Sequence, residues 1–582
     1  MRPWLLFLLL IAGPALAEPA DIERVPALVR GGAPHLALYL IDKNQPGPAA
    51  TDDWIAWERQ RYAVYFAQRD WEAVAARAAA LPDGVPEEFH RWVRTQAAAA
   101  RLHAEDGNGA RRILDALVLE GEADRAAVAQ WRQMMIRSYL IDDSLADAQS
   151  AVLRYQQDYA VTDDSWRLLH AQLLMRMNDN RGALGVLAGI LSHEGRLLTQ
   201  LARLRSRAQG PRAVAVEADK LIHATRNKPA LQFQAWALTA EAAAMTGEHL
   251  KRVIALERAL TLKREHGASD RLYLVDSEDL WRAYVRYAEA EGGKAKLPAD
   301  QNAAWVRKAE AFKRDDAVNA RAFYAYLANR ARQPDTRALA HARLADSLAA
   351  DGREEVLRWL YVDSSRYPAL DDVPAAVRYR LLDKAIAVYD IRFAADLLAG
   401  LHAPPPQEDA DRWALKRARV MIYAGELGAG LQALSNVLVD KEKLDDDLAE
   451  RYIQVMFDLQ AADRHREAAV LLESLFGLVD NPRMRREILF WQADSRAALG
   501  EHAQAAELYL RSATYGGANG GDLWGQSARY HAAEALGKAG MTADARSVFQ
   551  RLLDYSGDPR QRLLIERQLQ QLWLLEQKPT TR

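Results

Sequence analysis

Cysteine is absent from this chain of 582 residues. Its absence excludes disulfide bonds, thiol nucleophiles and thiolate metal sites, and it removes the cysteine that a lipoprotein carries just after its signal. The 13 histidines are scattered and form no HExxH pair, so no ligand set for metal-assisted hydrolysis is visible. Neither GxSxG nor GxxxxGK[ST] occurs. The sequence therefore predicts no catalytic residues, no cofactor and no metal site.

An excess of one charge is missing too. Lys and Arg number 77 against 79 Asp and Glu, a net charge of −2. A protein that binds nucleic acid usually carries a basic face or a basic excess, so we expect no nucleic-acid partner.

Long apolar runs are missing except at the start of the chain. Residues 5–13 are apolar, but a membrane-spanning helix needs about 20 residues. With Arg2 before this run and Pro14-Ala15-Leu16-Ala17 after it, the pattern predicts a secretory signal peptide that is cleaved after Ala17. We expect a periplasmic protein of a Gram-negative bacterium, with no stable membrane insertion after cleavage. A retained N-terminal anchor is the alternative.

A repeat of about 37 residues runs along almost the whole chain. In each repeat an apolar cluster begins on a small anchor residue, which apolar residues follow at the third, fourth, seventh and eighth positions, as they do after Ala183. That spacing puts the apolar residues on one stripe of an α-helix. The anchors are Ala110, Ala148, Ala183, Ala218, Ala320, Ala394, Gly430, Ala468, Ala505 and Ala545.

Two more positions recur before the anchors. An alanine often stands twelve residues earlier, and small residues there let two helices approach closely. A Gly, Asn or Asp stands five residues earlier, which suits a helix end in the left-handed conformation. The unit is therefore helix A, a tight turn and helix B. The turn residues are Asp143, Asn178, Gly247, Asp315, Gly352, Gly425, Asp463, Gly500 and Gly540.

This pattern resembles the tetratricopeptide repeat (TPR) family. Ala493, Gly500, Ala505 and Tyr509 show its spacing of small, turn, small and aromatic residues. The resemblance covers roughly residues 55–575, although the family's large residue early in helix A and its helix A tyrosine are mostly missing. It implies an all-α, right-handed superhelical solenoid of about 14 helix-turn-helix repeats.

Interruptions of the repeat suggest the domain limits. The pattern weakens between residues 265 and 316, where we expect the loop 292–298 to break a helix. We predict a signal peptide at 1–17, a solenoid half at 18–264, an irregular helical joint at 265–316, a second half at 317–575 and a polar tail at 576–582.

The resemblance also implies a set of partner-binding residues, selected by carrying the family's groove positions over by register. In the first half the set is polar to basic, which suits an acidic peptide tail or an anionic glycan. A merely solvated face is the alternative. Trp524 is added to the set because it ends the glycine-rich stretch 515–524. We expect this stretch to form either a partner-binding lip or an inter-repeat loop with Trp524 packed under it. The set is Gln130, Gln133, Arg137, Gln172, Arg203, Arg207, Arg419, Phe457, Phe490, Asp494 and Trp524.

Two motifs that suggest chemistry have structural explanations. Asp163-Asp164 precedes Trp166 at an expected helix start, where an acidic residue caps free amides. Glu473-Ser474-Leu475-Phe476 is similar to the catalytic stretch of lytic transglycosylases. However, its last two residues fall on the core stripe of the Ala468 helix, so we expect a structural role.

The preformed groove of such a solenoid predicts a non-catalytic scaffold or adaptor that binds a protein partner along its concave face. The resemblance implies that its role lies in cell-envelope assembly, secretion or polysaccharide export. One alternative is a protein that binds glycan or peptidoglycan, related to the helical domain of lytic transglycosylases. That function requires exposed aromatic rings on the concave face. Another is an accessory subunit of a proton-driven envelope motor.

Overall fold

The computed structural model describes residues 21–120, 123–159, 163–267, 270–298, 300–312, 316–517 and 522–576. These residues form α-helices joined by turns, with no β-strand among them. No helix in this part of the chain is long and apolar enough to cross a membrane. The predicted signal peptide and residues 577–582 of the predicted tail lie outside it.

The chain divides into two compact units, Met1–Val275 and Asp276–Arg582, called unit 1 and unit 2 below. The division falls inside the stretch 265–316 that the sequence marks as irregular. The domain limits given above stay predictions.

Unit 1 contains seven helical hairpins within its described residues. Its helices are α1 Arg24–Arg30, α2 Pro34–Asn44, α3 Thr51–Gln68, α4 Trp71–Ala79, α5 Glu87–His103, α6 Gly107–Leu119, α7 Arg125–Ile141, α8 Leu145–Asp158, α9 Asp164–Arg176, α10 Asn180–Leu187, α11 His193–Arg205, α12 Pro211–Ala224, α13 Pro229–Thr246 and α14 His249–His266. Odd-numbered helices are the A helices of their hairpins and even-numbered ones are the B helices.

Each hairpin of unit 1 packs on the next one. Helix B contacts its own helix A and the following helix A, and consecutive A helices also touch, as α5, α6 and α7 do. Each helix thus covers the apolar stripe of its neighbours, which is the packing of a solenoid. The prediction of an all-α solenoid is confirmed; the hand of its superhelix stays a prediction.

Unit 2 repeats this arrangement with one inserted helix. Its helices are α15 Ser277–Lys294, α16 Asn302–Glu310, α17 Ala317–Arg330, α18 Pro334–Ala350, α19 Glu354–Tyr361, α20 Ala375–Ala387, α21 Ile391–Leu398, α22 Ala410–Tyr423, α23 Leu427–Leu438, α24 Asp446–Ala461, α25 His465–Leu478, α26 Pro482–Ala498, α27 His502–Thr514, α28 Leu523–Lys538, α29 Thr542–Tyr555 and α30 Pro559–Glu576.

The insertion is α16, which lies in sequence between the paired helices α15 and α17 and packs on α17. Trp305 of α16 lies directly against Gly292, where a Cβ atom would come within 2.2 Å of the indole ring. The prediction of a loop at 292–298 is wrong at its start, because α15 continues to Lys294. The glycine serves a close helix contact rather than a chain break.

The predicted turn positions adopt the left-handed conformation. All those in the described residues have positive φ, from 59° at Asp143 to 86° at Gly425; Asp315 lies outside them. The equivalent position in four other hairpins holds Arg69, Glu105, Arg207 and Tyr389, with φ of 58°, 59°, 59° and 59°. These four residues depart from the Gly, Asn or Asp that the turn favours.

Nine of the ten anchors are buried, and so are the alanines twelve residues before them. Ala320 is the exception, being half-buried. Its helix α17 packs on the inserted α16 as well as on α15 and α18. The buried stretch of this helix therefore runs from Arg321 to Ala328.

Both structural explanations of the motifs are confirmed. Asp163 caps α9 by accepting a hydrogen bond from the Trp166 amide at 2.7 Å. In the transglycosylase-like stretch, Leu475 is fully buried and Phe476 packs against the same core. Glu473 is exposed on α25.

Candidate binding grooves

The A helices of unit 1 border a groove. Helices α5, α7, α9 and α11 and residues 270–272 enclose a cavity of about 420 Å³, the unit 1 groove. Two of the sequence candidates, Arg137 from α7 and Gln172 from α9, line it together. Neighbouring A helices bring these side chains together although they lie one repeat apart in sequence.

A non-helical stretch of the chain closes one side of the unit 1 groove. This returning segment, Asp270–Val275, follows α14 and lies on the A helices. Gln234 of α13 donates to Asp270 Oδ2 at 2.6 Å, and Arg205 of α11 donates to the carbonyl oxygen of Leu272 at 2.7 Å. Leu272, Tyr273 and Val275 are buried.

At the other end of the groove, Arg271 holds the returning segment against the ends of α5 and α7. Its guanidinium donates to the carbonyl oxygen of Ile141, at the end of α7, and to Glu105 Oε2 at 3.2 Å. Glu105 is one of the unusual turn residues, in the turn after α5. The A helices of unit 1 thus hold a polypeptide segment through the Asp270 carboxylate, the Arg271 guanidinium and the backbone carbonyl of Leu272.

Two carboxyl groups in the unit 1 groove have pKa values above their usual range. Burial raises the pKa of Asp270 above its usual range. Burial also raises the pKa of Glu194, and the nearby charge of Asp270 adds to this rise while the Arg137 guanidinium opposes it. His103 has a lowered pKa, because burial and the charge of Arg137 disfavour its protonated form.

The other N-terminal candidates do not line this cavity. Gln130 is exposed on α7, and Gln133 donates to the Tyr155 hydroxyl at 2.8 Å within its own hairpin. Arg203 is exposed and donates to Gln209 Oε1 at 3.2 Å. Arg207 has a φ of 59° in the turn after α11, so it lies beyond the helix on which the register placed it.

Unit 2 has a larger groove over its own A helices. Helices α20, α22 and α24, with residues 407–409, border a cavity of about 980 Å³, the unit 2 groove. Ion pairs join these A helices from one hairpin to the next. They are Lys416 with Asp383 at 2.7 Å, Arg412 with Asp447 at 2.7 Å, and Arg419 with Asp458 at 2.6 Å. The groove is therefore rich in charge but nearly balanced.

Two tyrosines present their rings to the unit 2 groove. Tyr423, at the end of α22, is 51% exposed, and its hydroxyl donates to Asp458 Oδ1 at 2.7 Å. That hydrogen bond raises the pKa of Tyr423, and burial adds to the rise. Tyr389, in the turn after α20, is 85% exposed. Sequence reasoning missed both tyrosines, although a tyrosine at a turn position is a visible departure from the repeat.

Arg419 is the only C-terminal candidate that lines the unit 2 groove. The Phe457 ring packs 4.7 Å from the Trp491 ring, and Asp494 accepts a hydrogen bond from the Tyr509 hydroxyl at 3.3 Å. Phe457 therefore packs between the hairpins that begin with α24 and α26, whereas Asp494 is bonded within the hairpin of α26 and α27.

Phe490 and Trp524 belong to the core between α26 and α28. Phe490 is buried, and its ring centroid lies 5.1 Å from that of Trp524. The Trp524 indole donates to Ser512 Oγ at 3.1 Å. The assignment of Phe490 to an open groove is wrong, since this stripe of α26 faces the next hairpin. The packing of Trp524 against this core agrees with the alternative of a packed inter-repeat loop.

Among the described residues, no three or more His, Asp or Glu side chains cluster closely enough to hold a metal ion. No family model matches the chain, and no curated protein matches it.

Solved structures with some similarity include a chain of the crystal structure of the APC/C hetero-tetramer Cut9–Hcn1. It shares 12% identity with a TM-score of 0.29, over 95% of this chain and 97% of that chain. Yeast Tom70 shares 10% identity with a TM-score of 0.23, over 85% and 98%. Similarity this low carries no argument about function, and the fold assignment rests on the hairpins of this chain itself.

Proposed function

We propose that this chain is a non-catalytic periplasmic scaffold that binds a protein partner along the A helices of unit 1. Its role would lie in cell-envelope assembly, secretion or polysaccharide export. The observation that carries this proposal is the returning segment. The A helices already hold one polypeptide stretch there, through Gln234 and Arg205.

The open part of the unit 1 groove supplies contacts for a second stretch. Arg137 is exposed at its edge, and the Gln172 amide lies opposite, 3.4 Å from Glu194 Oε1. A guanidinium and an amide suit a partner segment with an acidic side chain and free backbone carbonyls. Because the groove is formed before binding, little ordering free energy opposes association.

The periplasmic location is proposed from the first 17 residues, which have the basic start, apolar run and Ala-x-Ala site of a signal peptide. Fractionation of cells that produce the full chain tests it. We expect the shortened protein in the periplasmic fraction, and an uncleaved cytoplasmic protein would contradict the proposal.

Site-specific photo-crosslinking in cells tests the partner site. A photoreactive amino acid replaces Arg137, and a matched control replaces Leu153, which is 55% exposed on the B helix α8. We expect a discrete protein adduct from position 137 only. A second substitution, Gln172→Trp, should fill the groove and reduce that adduct.

Equal adducts from both positions would contradict the proposed site. So would a position 137 adduct that Gln172→Trp leaves unchanged, or the absence of any protein adduct at position 137.

A further inference from the structure

We propose that the unit 2 groove binds an uncharged glycan chain, with Tyr389 and Tyr423 stacked on sugar rings. This site is separate from the protein site proposed for unit 1 and stands independently of it.

Tyr389 occupies a position that disfavours tyrosine. Most hairpins place Gly, Asn or Asp there, because a bulky residue with positive φ is strained. The ring of Tyr389 is 85% exposed, so packing does not offset the strain. Its side chain makes no hydrogen bond or ring contact with the described residues. Contact of the ring with a ligand at the edge of the cavity would offset this strain.

Tyr423 supplies a second ring about one repeat further along the chain. Asp458 fixes its hydroxyl at 2.7 Å and also accepts a hydrogen bond from Arg419 Nε at 2.6 Å. The ring is therefore oriented before any ligand arrives. Two rings that successive hairpins present to one groove, one from the turn after α20 and one from the end of α22, suit a polymer of repeated ring units.

The charge balance favours an uncharged glycan over an acidic peptide. Lys416, Arg412 and Arg419 each have a carboxylate partner on a neighbouring A helix. A polyanion would need cations without such partners. Arg–carboxylate pairs instead present donors and acceptors side by side, which matches hydroxyl groups that both donate and accept. The C–H faces of sugar rings pack on aromatic rings, as flat nucleic-acid bases do.

Isothermal titration calorimetry of the mature full-length chain with N-acetylchitohexaose tests the proposal. We expect the wild type to bind this uncharged oligosaccharide. Tyr389→Gly should weaken binding by about tenfold, the effect of losing one ring contact. The same variant should raise the melting temperature, since glycine relieves the turn. A structural role for Tyr389 would give the opposite change in melting temperature.

Asp463→Gly is the matched control, because Asp463 occupies the same turn position in another hairpin of unit 2, with φ of 60°. Its side chain does not line the groove, so we expect unchanged affinity. Tyr423→Phe should keep most of the affinity and Tyr423→Ala should lose it, which separates the ring from the hydroxyl.

Three results would overturn the proposal. The first is no heat of binding with millimolar hexaose, and the second is equal affinity in wild type and Tyr389→Gly. The third is tight binding of a hexa-aspartate peptide, but not of hexaose, that Tyr389→Gly abolishes. That outcome would make the groove a peptide site.

Discussion

One backbone conformation recurs in the turns between helices A and B, and the residue that adopts it decides its cost. Glycine adopts positive φ freely, and Asn or Asp tolerates it. For a residue with a larger side chain, this conformation lowers the free energy of unfolding by about 1–2 kcal/mol. Glu105 offsets this cost through its contact with Arg271, whereas Tyr389 has no such contact in the described residues. Among the described non-glycine residues with positive φ, Tyr389 is the one with an aromatic side chain.

Asp270→Asn tests the carboxyl group in the returning segment. The raised pKa means that the native state holds this proton more tightly than the unfolded chain does. Ionisation therefore destabilises unit 1 above the native pKa, and the penalty disappears as pH falls below the ordinary value. We expect the variant to melt at a higher temperature than wild type near about pH 7 and to match it near about pH 3.

The asparagine oxygen can take the place of Oδ1, which accepts from the Leu272 amide, while its NH2 group replaces Oδ2, which accepts from Gln234. A flip of the Gln234 side-chain amide turns its oxygen, which has no hydrogen-bond partner among the described residues, toward this NH2 group, so both residues can stay bonded to position 270. Asp83→Asn, an exposed turn substitution in the same unit, is the control and should change nothing at either pH. A lower melting temperature of Asp270→Asn at neutral pH would show that the charged form stabilises the segment.

Helices α15 to α17 show how an element can be added without ending the solenoid. Helix α16 packs on α17, and Trp305 fills the space left by the missing side chain of Gly292. The Trp305 indole also donates to the carbonyl oxygen of Pro298 at 2.9 Å. The insertion is thus a packed part of unit 2.

Two neighbouring glycines in α15 give a matched pair of variants. Gly292→Ala should destabilise the packing of α16 by about 1–3 kcal/mol, because the new Cβ atom overlaps the Trp305 ring. Gly293 is exposed and has open space around it. Gly293→Ala should therefore stabilise α15 by about 0.5–1 kcal/mol. Chemical denaturation measures both, and equal effects would contradict the assigned contact.

The sequence predicts the helices better than it predicts the groove. The apolar stripe and the left-handed turns are local properties, so Asn178 and Gly247 could be placed from spacing alone. The faces of α26 and α22 depend on which hairpin packs next to them. For that reason the sequence pattern places Phe490 in a groove although it is part of the core, and it does not indicate Tyr423. A register derived from sequence cannot show which stripe the next hairpin covers.

At the scale of the whole molecule, the returning segment belongs to unit 1, which ends at Val275. A fragment of residues 18–275 keeps the segment, whereas one of residues 18–264, the limit predicted from sequence, lacks it. Removing the segment uncovers apolar surface that Leu272, Tyr273 and Val275 share with the A helices.

We therefore expect the shorter fragment to melt at a lower temperature than fragment 18–275, measured by far-ultraviolet circular dichroism, which reports helix content. A fragment of residues 276–582 should fold by itself. Identical melting of the two N-terminal fragments would show that the returning segment adds no stability to unit 1.

The ion pairs over the unit 2 groove have a mechanical consequence. Each pair joins the A helix of one hairpin to the A helix of the next one, on the face that borders the groove. Dissolved salt weakens such surface attractions, while the buried apolar contacts between hairpins are largely untouched. We therefore expect neighbouring hairpins of unit 2 to move more freely against each other as ionic strength rises. The unit 2 groove should widen while the helix content stays constant.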